Sequence, residues 1–185
     1  MKINEKKEAM GAIGYMLLFG MAIIMVITTM YLVQMAKLIT HQHDIDDALA
    51  DSVLASLVAD EEYYFATGEL YGTPVVLFKD RDDSFDIYRE CMVAAVSNTE
   101  DFYNNFKFDT FILYEVNGSS IRVTTYSSTG SRTTSNGRLG YVKTPDGTVV
   151  TKTSAYGRVK FDIKSILDGS YITKTRDIYC AIEVN

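Results

Sequence analysis

The most prominent pattern in the chain is a long apolar run near its N-terminal end. Between Ala9 and Ala36 there is no charged residue. A helix of that length extends about 42 Å at about 1.5 Å per residue, whereas a hydrocarbon core is about 30 Å thick. The run therefore predicts a transmembrane helix over residues 9–38.

Two other interpretations of this run are less favoured. A buried helix of a soluble domain seldom lacks charged residues over such a length. The apolar region of a cleavable secretory signal is about 7–15 residues long and ends at a small-x-small site. Here the run is about twice as long and its far end, from Tyr31 to Gln34, is bulky. A permanent anchor fits the pattern better.

Charged residues at the two ends of the run predict its orientation. Lys2, Lys6 and Lys7 precede it, whereas Lys37 is the nearest cation behind it. Cations that flank a span tend to stay on the cytoplasmic side. We therefore expect residues 1–8 to form a basic cytoplasmic stub and residues from about 40 onward to lie outside a cell membrane that the chain crosses once.

The helical pattern continues beyond the predicted span. Ile45, Leu49, Val53 and Leu57 lie four residues apart, and neither Gly nor Pro occurs between Gly20 and Gly68. This spacing predicts an amphipathic helical extension over residues 39–60 that packs on a soluble domain. The extension either continues the membrane helix or starts anew near residues 40–47, where Asp44 is a candidate N-cap.

The remaining residues, 61–185, predict an extracytoplasmic domain that is helical first and β-rich afterwards. Gly68, Gly72 and Pro74 predict a turn region. Residues 83–106 carry apolar side chains close to the helical period, up to Phe102 and Phe106, and predict a helix.

From residue 109 onward the pattern is typical of antiparallel strands. Residues 111–116 and 121–126 flank Asn117-Gly118, a strong hairpin signal. The other predicted elements are a second hairpin (139–143 with 148–153), two alternating strands (158–163 and 177–184) and a polar loop (127–138). The fold class predicted from these elements is α+β, with the second helix packed on a small antiparallel β domain.

Composition and charge exclude some functional classes. The chain has 18 basic and 24 acidic residues, for a net charge of −6, so we expect no nucleic-acid partner. With 47% hydrophobic and 12% aromatic residues, disorder is also excluded.

Catalytic chemistry finds little support in the sequence. The only histidines are His41 and His43, and neither a nucleophile-elbow motif nor a Gly-rich phosphate loop is present. The His-x-His pair and Asp44, Asp46 and Asp47 have metal-ligand side chains, but four fixed ligands are lacking, and we interpret them as a hydrated collar beside the membrane. We expect no enzyme activity, no catalytic residues, no metal and no cofactor.

Cysteine and glycine positions leave two further questions open. Cys91 and Cys180 are the only cysteines, and they form either a disulfide, which an oxidising exterior allows, or two buried free thiols. Gly11, Gly14 and Gly20 are candidate helix–helix packing positions, since small residues let helices approach closely in lipid, although glycine is also simply tolerated in membrane spans.

Two segments, EKKEAMGAIGYMLLFGMAII and HDIDDALADSVLASLV, resemble the start of type IV pilin-like proteins. The likeness covers about residues 5–60 and is nearest to TadE-like minor pilins or pseudopilins of tight-adherence, secretion and conjugation machineries. The resemblance implies cleavage by a prepilin peptidase after Gly11, with Gly14 as an alternative. Members of this family carry a glutamate at the fifth residue of the mature helix, and the corresponding residue of this chain is Met16.

These observations together predict a non-enzymatic surface protein. The expected role is that of a minor pilin or pseudopilin in a bacterial pilus, secretion or conjugation assembly. Its expected partners are the lipid bilayer and other pilin-like or envelope subunits, contacted through the transmembrane helix. The alternative is a single-pass extracytoplasmic protein that binds a ligand or partner without polymerising.

Overall fold

The computed structural model describes residues 2–72, 74–97, 103–164 and 169–183. At residues 2–10, 12, 38 and 41 it describes the backbone only. Within these ranges the chain forms three α-helices and five β-strands, so the predicted α+β class is confirmed. The elements in chain order are α1 (Lys2–Ala55), α2 (Glu61–Tyr71), α3 (Arg81–Ser97), β1 (Tyr103–Asn117), β2 (Ser120–Ser127), β3 (Arg132–Arg138), β4 (Ser154–Lys164) and β5 (Tyr171–Ala181).

The chain divides into two compact units, Met1–Gln42 and His43–Asn185. The first unit consists of the apolar part of α1. The second contains the end of α1, the other two helices and the whole sheet. In this division residues 43–60 belong with the sheet, and the sequence-based boundaries at 38/39 and 60/61 stay predictions.

The second unit is built on one antiparallel sheet with strand order β3-β2-β1-β4-β5. The long strand β1 lies at its centre, and Leu113 on this strand pairs with Thr124 of β2 and Ala155 of β4. Because successive side chains of a strand point to opposite faces, the buried residues of β1 supply two separate layers of the core. The edges are formed by β3 and β5.

The first sheet face is covered by α3 and by the end of α1. Tyr88 on α3 stacks on Phe111 with 4.5 Å between the ring centroids, and Phe85 stacks on Tyr126 at the same distance. Beside them, Val53 of α1 lies so close to Gly157 that an added Cβ would be 2.6 Å from the valine Cγ2 atom. Glycine at 157 therefore lets helix and sheet approach closely.

The second sheet face carries its own apolar cluster. Its buried members are Ile112, Tyr114, Ile121, Val150 and Tyr156. The segment 142–150 folds over this cluster through an antiparallel bridge between Lys143 and Val149 and a 3.0 Å bond from the Val150 N–H to the Val142 carbonyl. The predicted second hairpin is thus a short bridged turn outside the five-stranded sheet.

Helix α2 has a defined cap at each end. The Asp60 side chain accepts a 2.9 Å hydrogen bond from the Tyr63 N–H at its start, and Gly72 ends it with a left-handed φ of 68°. After α2 the chain comes back beside the residues that precede the helix, where Ala59 and Phe78 form an isolated antiparallel bridge. The sequence pattern predicted only a turn region here. Helix α2 buries little apolar surface, so it has no clear apolar periodicity, and its two caps depend on single local residues.

Two sequence-based assignments in the second unit are wrong. The helix predicted over 83–106 ends at Ser97, and Phe106 lies on β1. The polar stretch 127–138 is mostly the edge strand β3, which pairs with β2 over its full length. The first predicted hairpin is confirmed, with Gly118 and Ser119 as its loop residues. Phe102 and Val184, assigned to the predicted helix and the last predicted strand, lie outside the described residues.

Candidate functional site

The apolar part of α1 is the largest uncovered hydrophobic surface of the described chain. Every large apolar side chain between Ile13 and Val33 is exposed, up to 79% for Met16. By length and composition the helix is able to cross a membrane, and none of its most apolar window is buried against the protein. A signal sequence near an N-terminus meets the same criterion, so membrane location and orientation stay predictions.

Polar side chains within this surface are satisfied inside the helix. The Thr28 and Thr29 hydroxyls donate 2.8 Å hydrogen bonds to the carbonyls of Ile24 and Met25, one turn earlier. A helix in lipid must satisfy its polar groups in this way, because hydrocarbon offers no partner. The exposed surface therefore presents no unpaired hydroxyl group at these positions.

The three glycines predicted to pack against other helices do not share one face. A Cβ added at Gly11, Gly14 or Gly20 meets no atom within 4 Å, so each has free space around it in the isolated chain. At about 100° per residue, Gly11 and Gly14 lie about 60° apart around the helix, whereas Gly20 lies on the side opposite Gly11. A single close helix contact can thus use Gly11 and Gly14 together.

The His-x-His segment and its aspartates lie on α1 at the junction of the two units. His43 is exposed, and Asp46 forms a 3.1 Å ion pair with Arg176 of β5. The side chain of His41 is outside the described set. Within that set there is no group of three or more His, Cys, Asp or Glu side chains arranged to hold a metal ion.

The two cysteines lie on different elements of the second unit. Cys91 is on α3 and Cys180 is on β5, and both are partly buried free thiols. Burial raises the pKa of the Cys180 thiol, which lowers its thiolate fraction at neutral pH. Whether the two thiols form a disulfide in an oxidising exterior stays a question that titration of free thiols in the denatured, unreduced chain would decide.

A buried ion pair that the sequence analysis missed joins three parts of the second unit. Glu115 of β1 has a side chain only 1% exposed. It accepts bonds of 2.6 and 2.9 Å from the Nε and Nη2 atoms of Arg81, the first residue of α3. The Phe78 N–H adds a third bond at 3.2 Å. The Arg122 guanidinium lies 3.8 Å from the same carboxylate.

Part of this arrangement was detectable in the sequence. Once the hairpin is predicted, Glu115 and Arg122 fall opposite each other on β1 and β2, as the structure has them. Arg81 is 34 residues from Glu115, and no periodic pattern links the two positions.

The described surface of the second unit includes three clefts of different size. The smallest, of about 100 Å³, is lined by polar side chains next to Glu115. A cleft of about 410 Å³ lies between the sheet and the segment 142–145. A third of about 460 Å³ lies beside Val75, Val116 and Ile182. Each is open to solvent, so each is able to admit a ligand.

Comparison with known proteins gives no match. No family model, no curated protein and no solved structure is similar to this chain. The TadE-like resemblance and the assembly role therefore stay predictions.

Proposed function

We propose that this protein is a membrane-anchored, extracytoplasmic structural component of an envelope assembly, similar in role to a minor pilin or pseudopilin. The observation that carries the proposal is the apolar surface of α1, which the rest of the chain leaves uncovered. An exposed apolar surface of this extent is unfavourable in water and needs lipid or other apolar helices around it.

The charge pattern supports the direction of insertion. The cations Lys2, Lys6 and Lys7 lie at one end of the apolar helix, and the acidic second unit follows at the other. The positive-inside tendency then keeps the first residues in the cytoplasm and exports the sheet.

The second unit supports the role of a displayed module. Its sheet has an apolar core on both faces, including Phe111 on one and Tyr156 on the other, so it does not need the membrane helix to bury its apolar residues. Its continuation of α1, with Ile45, Leu49 and Val53 buried, provides the proposed amphipathic connection to the anchor.

Assembly would use the face of α1 that carries Gly11 and Gly14. In lipid, helix association depends on close van der Waals packing, which small residues permit. The space around both glycines is free, so a neighbouring helix has access to the backbone there. The resemblance to pilin-like proteins further suggests processing after Gly11, which N-terminal sequencing of membrane-purified protein would detect as a start at Ala12. In the processed chain the contact would then use Gly14 alone, and in the unprocessed chain it would use both glycines.

Location and orientation can be tested with single cysteines in a Cys91→Ala/Cys180→Ala chain. In intact bacterial spheroplasts, a membrane-impermeant maleimide should label Ser128→Cys, which is on an exposed turn. It should leave Asn4→Cys unlabelled until the membrane is permeabilised, and this labelling is read on the unprocessed full-length chain, which retains residue 4. Recovery of the full chain in the detergent-free soluble fraction would refute anchoring, and the reverse labelling would refute the orientation.

Assembly can be tested by oxidative cross-linking of Leu18→Cys in membranes, because Leu18 lies between Gly11 and Gly14 around the helix. We expect disulfide-linked dimers and a several-fold loss of them in Gly14→Leu, since the larger side chain blocks close approach. Gly20→Leu is the matched control on a different side. Strictly monomeric chains, or equal loss in both variants, would refute packing through the Gly11–Gly14 face.

A second candidate is a single-pass binding module that does not polymerise. The observation that favours it is the pair of larger clefts, of about 410 and 460 Å³, on the second unit. Monomeric membrane helices together with a small molecule that co-purifies with the second unit would favour this candidate over the assembly role.

A further inference from the structure

The smallest of the three clefts lies at the hairpin end of the sheet and is lined mainly by polar residues. Besides Leu77 and Glu115 it is lined by Asn117, Ser120, Arg122 and Asn136. Three of these side chains are neighbours across adjacent strands, because Glu115 pairs with Arg122 and Arg122 pairs with Asn136. A row of carboxylate, guanidinium and amide groups thus crosses from β1 to β3 on one sheet face.

The charge of this row is positive although the chain as a whole is acidic. Arg81 already neutralises Glu115 with two hydrogen bonds. Arg122 approaches the same carboxylate only to 3.8 Å and its side chain is 51% exposed. Among the described residues Arg122 has no other carboxylate partner, so its positive charge is left largely uncompensated.

A second arginine adjoins the cleft. Arg138 of β3 pairs across the sheet with Ser120, which lines the cleft, and its guanidinium lies 5.9 Å from the centroid of the Tyr141 ring. No carboxylate within the described ranges forms an ion pair with Arg138. Arg138 is not itself part of the cleft wall, but its positive charge next to Ser120 adds to that of Arg122. This excess of positive charge over the single carboxylate of Glu115 favours an anionic ligand.

The neutral side chains of the cleft suit the same ligand. Asn117 and Asn136 carry amide groups that are able to donate hydrogen bonds, whereas the Ser120 hydroxyl already donates to the Asn117 carbonyl at 3.0 Å. A volume of about 100 Å³ is enough for one small oxyanion group but not for a larger ligand. Guanidinium groups bind carboxylate and phosphate oxygens in a bidentate manner, which adds geometric selectivity.

We propose that this cleft is a binding site for a single oxyanion group, a carboxylate or a phosphate, held by Arg122, attracted also by the nearby charge of Arg138, and oriented by Asn117 and Asn136. The site is distinct from the apolar surface of α1 and does not depend on the assembly role. It gives the exposed unit a way to recognise an acidic group on a partner or a small molecule.

The test is an NMR titration of the full-length chain in nonionic maltoside micelles, whose head groups carry no oxyanion, with acetate and inorganic phosphate as probes. Total ionic strength is held constant with chloride, so that general screening does not change. We expect saturable shifts of the backbone amides of Ser120 and Asn136 with at least one probe, with a Kd of about 1 mM. A saturable response to acetate alone assigns the carboxylate, and a response to phosphate alone assigns the phosphate.

Three variants make the result specific. Arg122→Gln should weaken binding at least tenfold. Arg138→Gln should weaken it several-fold and leaves the Glu115 ion pair intact. This second variant keeps the test valid even if Arg122→Gln fails to fold. Lys174→Gln, the same charge change at an exposed site on β5, should have no effect. Linear, non-saturating shifts with both probes, or unchanged binding in Arg138→Gln, would overturn the proposal.

Discussion

Replacement of Arg81 by methionine should destabilise the second unit by about 3 kcal/mol. The Glu115 carboxylate, 1% exposed, would lose both of its strong partners and could not turn to water. Breaking a buried ion pair from one side costs about 3–5 kcal/mol, since the other charge stays buried. We expect the lower end of this range, because the Phe78 N–H and the Arg122 guanidinium remain close.

The reverse change should be less costly. In Glu115→Gln the guanidinium of Arg81, whose side chain is 29% exposed, still reaches solvent, and the glutamine keeps one oxygen for hydrogen bonding. We expect a loss of about 1 kcal/mol. The double variant Arg81→Met/Glu115→Gln should be clearly more stable than Arg81→Met alone, because no buried carboxylate is left unpaired.

The free energies of unfolding would be measured by urea titration of the full chain in one detergent, followed by near-ultraviolet circular dichroism of the tyrosines. Lys152→Met is the control, since its 2.9 Å bond to Glu183 joins two side chains that are 53% and 75% exposed and should contribute little to stability in water. A loss below 1 kcal/mol in Arg81→Met, or a larger loss in Glu115→Gln, would refute the reasoning.

Two further predictions concern close packing and alkaline pH. Gly157→Ala should cost about 1–3 kcal/mol through contact with Val53. Gly68→Ala on α2, where an added Cβ would lie at an ordinary 3.6 Å from the Pro74 Cβ, should be neutral or stabilising in the same urea assay, and equal effects in the two variants would contradict this. Burial raises the pKa of Tyr103 to about 12. The neutral form is thus favoured by folding, and this stabilisation is complete below pH 10 and is lost as the pH rises from 10 through 12. Tyr103→Phe should make that loss less steep in a spectroscopic pH titration, and an unchanged slope would argue against it.

How far the sequence predicts this fold depends on how each element buries its side chains. The hairpin of β1 and β2 was predictable because its strands alternate around Asn117-Gly118, although the loop itself is one residue later, at Gly118 and Ser119. The apolar part of α1 was predictable because its composition alone satisfies the criterion for a membrane helix.

The edge strand β3 was missed because it has no alternating pattern to detect. All but one of its seven residues are exposed, so neither sheet face selects apolar side chains there. The strand is stabilised by backbone pairing with β2 and by an ion pair at its first residue, where Arg132 donates a 2.9 Å hydrogen bond to Asp82 of α3. Backbone pairing and one long-range ion pair leave little trace in local sequence.

The boundary between α3 and β1 was misplaced for a related reason. Strand β1 changes register between Asn104 and Lys107 and again between Phe108 and Thr110, and Asn105 has a positive φ of 52°. Such irregularities shift the side-chain alternation. The aromatic residues near the start of β1 therefore fall at spacings that are close to those of a helix, and the sequence pattern extended the helix too far.

The contrast between the two units bears on where specificity resides. The apolar part of α1 has free space at its glycines and threonine hydroxyls bonded within the helix, so lipid alone satisfies it and no particular partner is required. The second unit instead combines a buried ion pair with a cleft lined by Arg122, whose positive charge is only partly compensated. Under the proposed role, anchoring would be a general property of the helix. Selection of a partner of defined chemistry would then come mainly from the sheet, and close packing at Gly11 and Gly14 would decide only whether the anchors associate.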